Sequence, residues 1–147
     1  MKLIRPFLLL AAFLGMLAAT HTAKAADVRG ILIAASNGQG ETDRRLAAYE
    51  PTLRRILRFE SYRFLGDGRA TVEASDKGSI SLGEGHELEI EAERSDGKAV
   101  SLKVRWLKGG RTLMNTGLQL RPGVPAVLGG PATGNKDEVY AVILVSR

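Results

Sequence analysis

The stretch that most constrains this chain runs from Gly85 to Trp106, GHELEIEAERSDGKAVSLKVRW. Leu88, Ile90 and Ala92 alternate with Glu87, Glu89, Glu91 and Glu93, and beyond Ser95-Asp96-Gly97 the residues Val100, Leu102, Val104 and Trp106 alternate with Ser101, Lys103 and Arg105. Period-two alternation on both sides of an Asp-Gly turn predicts a β-hairpin with one buried and one wet face. Opposed residues share a face. A two-residue Asp96-Gly97 loop would set Glu91 against Leu102, so a three-residue Ser95-Asp96-Gly97 loop with a bulge at Gly97 is expected instead. That register opposes Ile90 to Leu102, Leu88 to Val104 and His86 to Trp106 inside, and Glu89 to Lys103 and Glu87 to Arg105 outside. Each opposed pair contributes about 0.2–1 kcal/mol, so the glutamate row reads as sheet support rather than a cation site.

The N-terminus reads as a targeting segment. Lys2 and Arg5 precede the apolar run Phe7 to Ala19, and Ala23-Lys24-Ala25 supplies a small-residue cleavage site before Ala26. Thirteen residues are too few to cross about 30 Å of hydrocarbon as a helix, so no stable membrane insertion is expected once the segment is cleaved. Without cysteine there is no lipoprotein thiol and no disulfide framework. Residues 1–25 are therefore expected to be a cleaved signal peptide and residues 26–147 a single β-rich domain, exported to the periplasm or beyond. Cleavage removes Lys2, Arg5 and Lys24 from the 21 basic residues, leaving 18 against 16 acidic ones, so a charge of +5 falls to +2. A chain so nearly balanced lacks the basic footprint of a nucleic-acid-binding protein.

Within that domain, Ile31 to Ala35 and Val139 to Val145 are continuous apolar runs, expected to be neighbouring strands covered on both faces. Ser36-Asn37-Gly38-Gln39-Gly40 has neither the third glycine of a dinucleotide loop nor the lysine of a P-loop, and reads as a turn. From Thr42, the expected N-cap, the period turns helical: Leu46, Tyr49, Leu53, Ile56 and Leu57 lie on one side, with Arg44, Arg54, Arg55 and Arg58 close to the other. Pro51 must kink this helix or start a second one. Its apolar side is expected to cover the sheet that holds the terminal strands.

Short strands follow over 60–65, 69–74 and 79–82, with Gly66-Asp67-Gly68 and Gly83-Glu84-Gly85 as turns. After the organising hairpin, Lys108-Gly109-Gly110 leads into a strand over 112–120, with Trp106 expected opposite Thr112. Pro125 demotes Val124 to Leu128 to an edge strand, and Gly129 to Lys136 reads as the longest polar loop. The fold class is thus mainly β: an antiparallel sandwich-like or curled sheet with one short, Pro-interrupted helix.

Chemistry is sparse. His86 is the only histidine beyond the signal segment, no G-x-S-x-G elbow is present, and the hairpin glutamates lie on an open face. No motif asks for a cofactor or a metal. Residues 43–63, D-R-R-L-x-x-Y-x-x-x-L-x-x-x-L-x-F-x-S-Y-R, resemble a pattern in small exported bacterial proteins of unknown role, where a strand, a short helix and a β-rich remainder follow a signal peptide. The resemblance implies that layout and no activity or ligand. The leading expectation is a non-catalytic accessory or binding protein of the bacterial envelope. It would dock a protein partner through Arg44, Arg54, Arg55 and Arg58, whose planar guanidinium forks suit paired contacts with acids. Alternatives are a solvated arginine face with docking at the Val124–Leu128 edge, a structural subunit of an envelope or secretion assembly, or a small hydrolase using His86 or a carboxylate pair.

Overall fold

The structure, a computed structural model, describes residues 25–38, 40–95 and 98–147. The expected signal segment, apart from residue 25, and the Asp96-Gly97 loop lie outside these. Among the described residues the strands are β1 (Ala26–Ser36), β2 (Ser61–Val72), β3 (Lys77–Gly83), β4 (His86–Ser95), β5 (Val100–Lys108), β6 (Arg111–Leu120), β7 (Ala126–Ala132) and β8 (Glu138–Ser146). They form two antiparallel four-stranded sheets, β2-β1-β8-β7 and β3-β4-β5-β6. β2 passes beside β3, so each strand lies next to its neighbour in the chain, and β8 closes the order against β1. The sandwich-like fold is as the alternation predicts.

Two cores follow from two kinds of strand. Val28 and Leu32 of β1 and Tyr140, Val142 and Leu144 of β8 meet Ile80, Leu82, Leu88, Ile90, Leu102, Val104 and Trp106 between the sheets. The other side of the same two strands, with Ile31, Ile33, Ala35, Ala141 and Ile143, forms a second core with Leu46 and Leu53. The continuous apolar runs of β1 and β8 therefore serve both cores, and the alternating strands β4 and β5 serve one. β1 and β8 pair directly, Ile31 against Ile143 and Ile33 against Ala141.

The helical segment is divided. A 3₁₀ turn over Arg44–Leu46 is followed by α1 (Glu50–Ile56), with Pro51 in its first turn, where its missing N–H costs nothing. Asp43 rather than Thr42 caps the first piece, accepting from the Arg45 N–H at 2.9 Å. A helix of seven residues does not stand alone. Leu46 and Leu53, both fully buried, hold the pieces on the outer face of the first sheet, and burying such a side chain contributes about 1.5–3 kcal/mol. Tyr49, Leu53 and Leu57, spaced by four, make the covered stripe. Ile56, expected on that stripe, lies at its border and is 47% exposed.

Three expectations about the strands are corrected. Both hairpin registers slip by two residues. Leu88 opposes Trp106 and Ile90 opposes Val104, because Glu93 is the extra residue of a bulge and β4 runs on to Ser95, paired with Val100. Glu89 therefore meets Arg105 rather than Lys103, and Glu87 meets Leu107 rather than Arg105. Trp106 likewise opposes Met114, the loop being Gly109-Gly110 with φ of 56° and 79°. Such a pair of positive φ angles suits the two-residue turn that matches strand twist.

Gly66-Asp67-Gly68 is no turn but the middle of β2. A Cβ at Gly66 would lie 1.8 Å from the carbonyl oxygen of Leu82, and one at Gly68 would lie 2.5 Å from that of Ser81. These glycines let β2 cross closely over β3, the other use of glycine inside a strand.

β7 is an edge strand as expected, but it begins at Ala126 and takes in Gly129, Gly130 and Pro131 from the expected loop. Pro131 falls where the pairing with β8 is interrupted between Gly129 and Ala132, so its missing N–H breaks no ladder bond there. Gly130 is needed because a Cβ there would lie 2.4 Å from the Trp106 ring.

Candidate partner-binding face

The four arginines read from the sequence divide in two. Arg54 is spent internally: Nε and Nη2 bond Oε1 of Glu50 at 3.0 and 2.8 Å, and Nη2 also reaches the Glu60 carbonyl at 2.8 Å. It ties the first turn of α1 to the segment entering β2. Arg44, Arg55 and Arg58 are exposed and make no ion pair with a described residue. Arg44 belongs to the 3₁₀ turn, so the four do not share one helical face. Arg45, which sequence reasoning left aside, bonds Asp43 with Nη2 to Oδ2 at 2.7 Å and lies over the Phe64 ring. Those bonds hold the Asp43 carboxyl at about 2.

Arg58 has φ of 58° at the position after the Leu57 C-cap. Helices commonly end in this left-handed conformation, but on glycine, since a side chain there costs about 1–2 kcal/mol. Two residues earlier, Ile56 projects from α1. Among the described residues only Ile56 and Val124 are large exposed hydrophobics. Ile56 thus stands exposed between Arg55 and Arg58 in the sequence, and neither arginine has an acid within ion-pair distance among the described residues.

His86 is placed otherwise. Its side chain is 1% exposed, and Nδ1 accepts from the Trp106 indole N–H at 2.9 Å. The proton of the neutral ring then lies on Nε2, which is buried without a partner among the described residues. Burial, and after it the charge of Lys108, push the His86 pKa down, against an opposing pull from Glu84. Its one lone pair is occupied, so the ring is not poised as a general base. No cluster of three or more histidine or carboxylate side chains suited to a metal ion occurs among the described residues.

Polar cavities also lie on other surfaces. A groove of about 580 Å³ on the outer face of the second sheet is lined by Lys77, Glu87, Glu89, Lys103 and Arg105. Glu87, Glu89, Lys103 and Arg105 each bond a side chain across strands or across the hairpin. Ser79 donates to Glu87, Arg105 Nε bonds Glu89 at 2.8 Å, and Lys103 meets Glu93 at 3.1 Å. This is the sheet-supporting role read from the sequence, with shifted partners.

A cavity of about 320 Å³ beside Gly38 and Gly40 is lined by Glu41, Asp43 and Glu138, with Arg63 as its one cation among the described residues. That excess of carboxylates is unsuited to phosphate, as the missing motif also implies. Comparison with protein-family models, curated proteins and solved structures gives no match.

Sequence reasoning missed the exposure of Ile56 and a second basic group, Arg29, Arg69 and Arg147, which the fold gathers from three different strand regions. The only signal in the sequence was that Arg29 and Arg69 occupy alternate positions in apolar or glycine-rich strands.

Proposed function

We propose that the protein is a non-catalytic binding module exported to the bacterial cell envelope, acting through protein–protein contacts made by α1 and its C-terminal turn. The observation that carries this reading is Ile56, exposed between Arg55 and Arg58, with Arg58 held in a backbone conformation where glycine would be cheaper. Strain of this kind is retained where surrounding structure or function requires it. An exposed apolar side chain flanked by two arginines fits an acidic segment with one or two apolar side chains, and arginine is enriched at such contacts. The signal-like segment at residues 1–25 supports export.

The edge of β7 is a weaker docking site, since Pro125 lies just before the strand and Pro131 within it, and proline blunts strand addition. The reading of a structural subunit would rest on such an edge.

The test is crosslinking in the producing cell followed by pull-down of the tagged protein, beside an Arg55→Glu/Arg58→Glu variant of unchanged thermal stability. A defined protein partner captured by the first and lost by the second is the expected result. The same partner captured equally by both would make these arginines a solvated face. Fractionation, with N-terminal sequencing of the mature chain, tests export: an intact N-terminus in the cytoplasm would sink it.

A further inference from the structure

Beyond the reach of α1, the outer face of the first sheet carries charge instead of apolar side chains. Along β1, Ala26 and Val28 face the core between the sheets, and so does Gly30, whose added Cβ would touch Leu82 and Leu88; Asp27 and Arg29 therefore face outward. Arg69 of β2 stands directly opposite Arg29, and Val145 of β8 opposes Arg29 from the other side. Arg147 is drawn alongside by its backbone N–H, which bonds the Asp27 carbonyl at 3.0 Å. Like charges set directly opposite each other destabilise a sheet. Asp67 relieves part of this, accepting from Arg29 Nη2 at 2.9 Å and Nε at 3.2 Å. Neither Arg69 nor Arg147 has an acid within ion-pair distance among the described residues.

Arg29, Arg69 and Arg147, with Asp27, Tyr49 and Val145, line a cavity of about 80 Å³. That is space for a few waters or for one small oxyanion. Guanidinium forks present paired N–H donors that match oxygens of phosphate or sulfate. Tyr49 comes from the segment leading into α1, so occupancy would bridge the sheet and the helical layer.

We infer that Arg29, Arg69 and Arg147 form a binding site for a small tetrahedral oxyanion of the phosphate class, separate from the Arg55–Ile56–Arg58 face. Arg69 and Arg147 supply the uncompensated charge. Arg29, fixed by Asp67, supplies the positioned donor. Asp27 at the rim limits the net charge, which favours a single anionic group over an extended polyanion.

The test is a titration of the full chain with inorganic phosphate and, separately, with glycerol phosphate, at constant ionic strength and followed by backbone amide shifts. Saturable shifts confined to Asp27, Arg29, Tyr49, Arg69 and Arg147 are expected, with affinity falling at least tenfold in Arg69→Gln and in Arg147→Gln. An Arg55→Gln/Arg58→Gln variant should bind as the parent does. Tighter binding of inorganic phosphate would identify the free ion as ligand, and tighter binding of the ester a phosphorylated headgroup or metabolite. Shifts that do not saturate, that spread over all basic surfaces, or that survive both single substitutions in folded protein would overturn the site.

Discussion

The Trp106 indole N–H points at Nδ1 of His86 across 2.9 Å inside the core, although the two residues are not opposed in the strand register. The Tyr140 ring lies against the imidazole, its centre 4.5 Å away, and Lys108 Nζ lies 3.3 Å from the Tyr140 hydroxyl. Burial, and after it the charge of Lys108, disfavours a second proton on this ring, and one on Nδ1 would also displace the indole bond.

Acidification should therefore destabilise the fold through this one group. The folded pKa of His86 lies below its usual 6.5, so as pH falls the unfolded chain takes up the proton first. Its contribution is complete above about pH 6.5 and declines as pH falls from there toward the folded value. Glu138 does not interfere in that range. Burial raises its pKa, but hydrogen bonds from Asn135 and Thr133 outweigh this and leave it below its usual 4.5, so its contribution is lost only at lower pH. Urea midpoints should fall between pH 7.5 and 5.5 in the parent and stay nearly level in His86→Gln; equal slopes would refute the assignment.

Glycine substitutions should separate strand positions of close approach from an open one. Gly66→Ala meets the Leu82 carbonyl and Gly130→Ala meets the Trp106 ring, and each should cost about 1–3 kcal/mol, as overpacking does. Gly117→Ala, whose added Cβ lies at an ordinary 3.8 Å from the nearest atom, should stay within about 0.5 kcal/mol of the parent. Thermal melts of the three decide the matter.

Arg58→Gly is expected to raise stability by about 0.5–1 kcal/mol, the relief of a left-handed side chain less the added freedom of an unfolded glycine. The same variant should capture less partner in the crosslinking experiment. A gain in melting temperature with undiminished capture would remove Arg58 from the docking face.

Arg54 and Arg55, neighbours in sequence, should behave differently. Arg54→Ala loses an i,i+4 pair and a bond to a carbonyl, both partly exposed and screened, and should cost about 0.5–1 kcal/mol. Arg55→Ala should be neutral within about 0.5 kcal/mol. Chemical denaturation at low and high salt checks this, and the cost of Arg54→Ala should shrink at high salt.

Part of the candidate site was legible in advance. The helical period around Leu46 and Leu53 placed Arg55 and Arg58 away from the sheet, and Pro51 announced the break in the helix. That Arg54 would turn back to Glu50 and Glu60 was not legible, since each arginine has the same reach and the choice depends on where β2 begins. Arg29, Arg69 and Arg147 were hidden for a similar reason, because nothing local says that three separate strand regions will bring them together.

Alternation by itself determined which side of β4 and β5 is buried, its absence in β1 and β8 that these are covered on both faces, and the two together that two layers and a helix must stack. It could not determine register, because a slip of two residues returns every side chain to the same face. Tertiary packing made that choice through the bulges at Glu93 and Leu113. It also turned Gly66-Asp67-Gly68 from an apparent turn into a strand crossing, since a glycine's missing Cβ serves either purpose and only the strand lying 1.8 Å from where that atom would be decides between them.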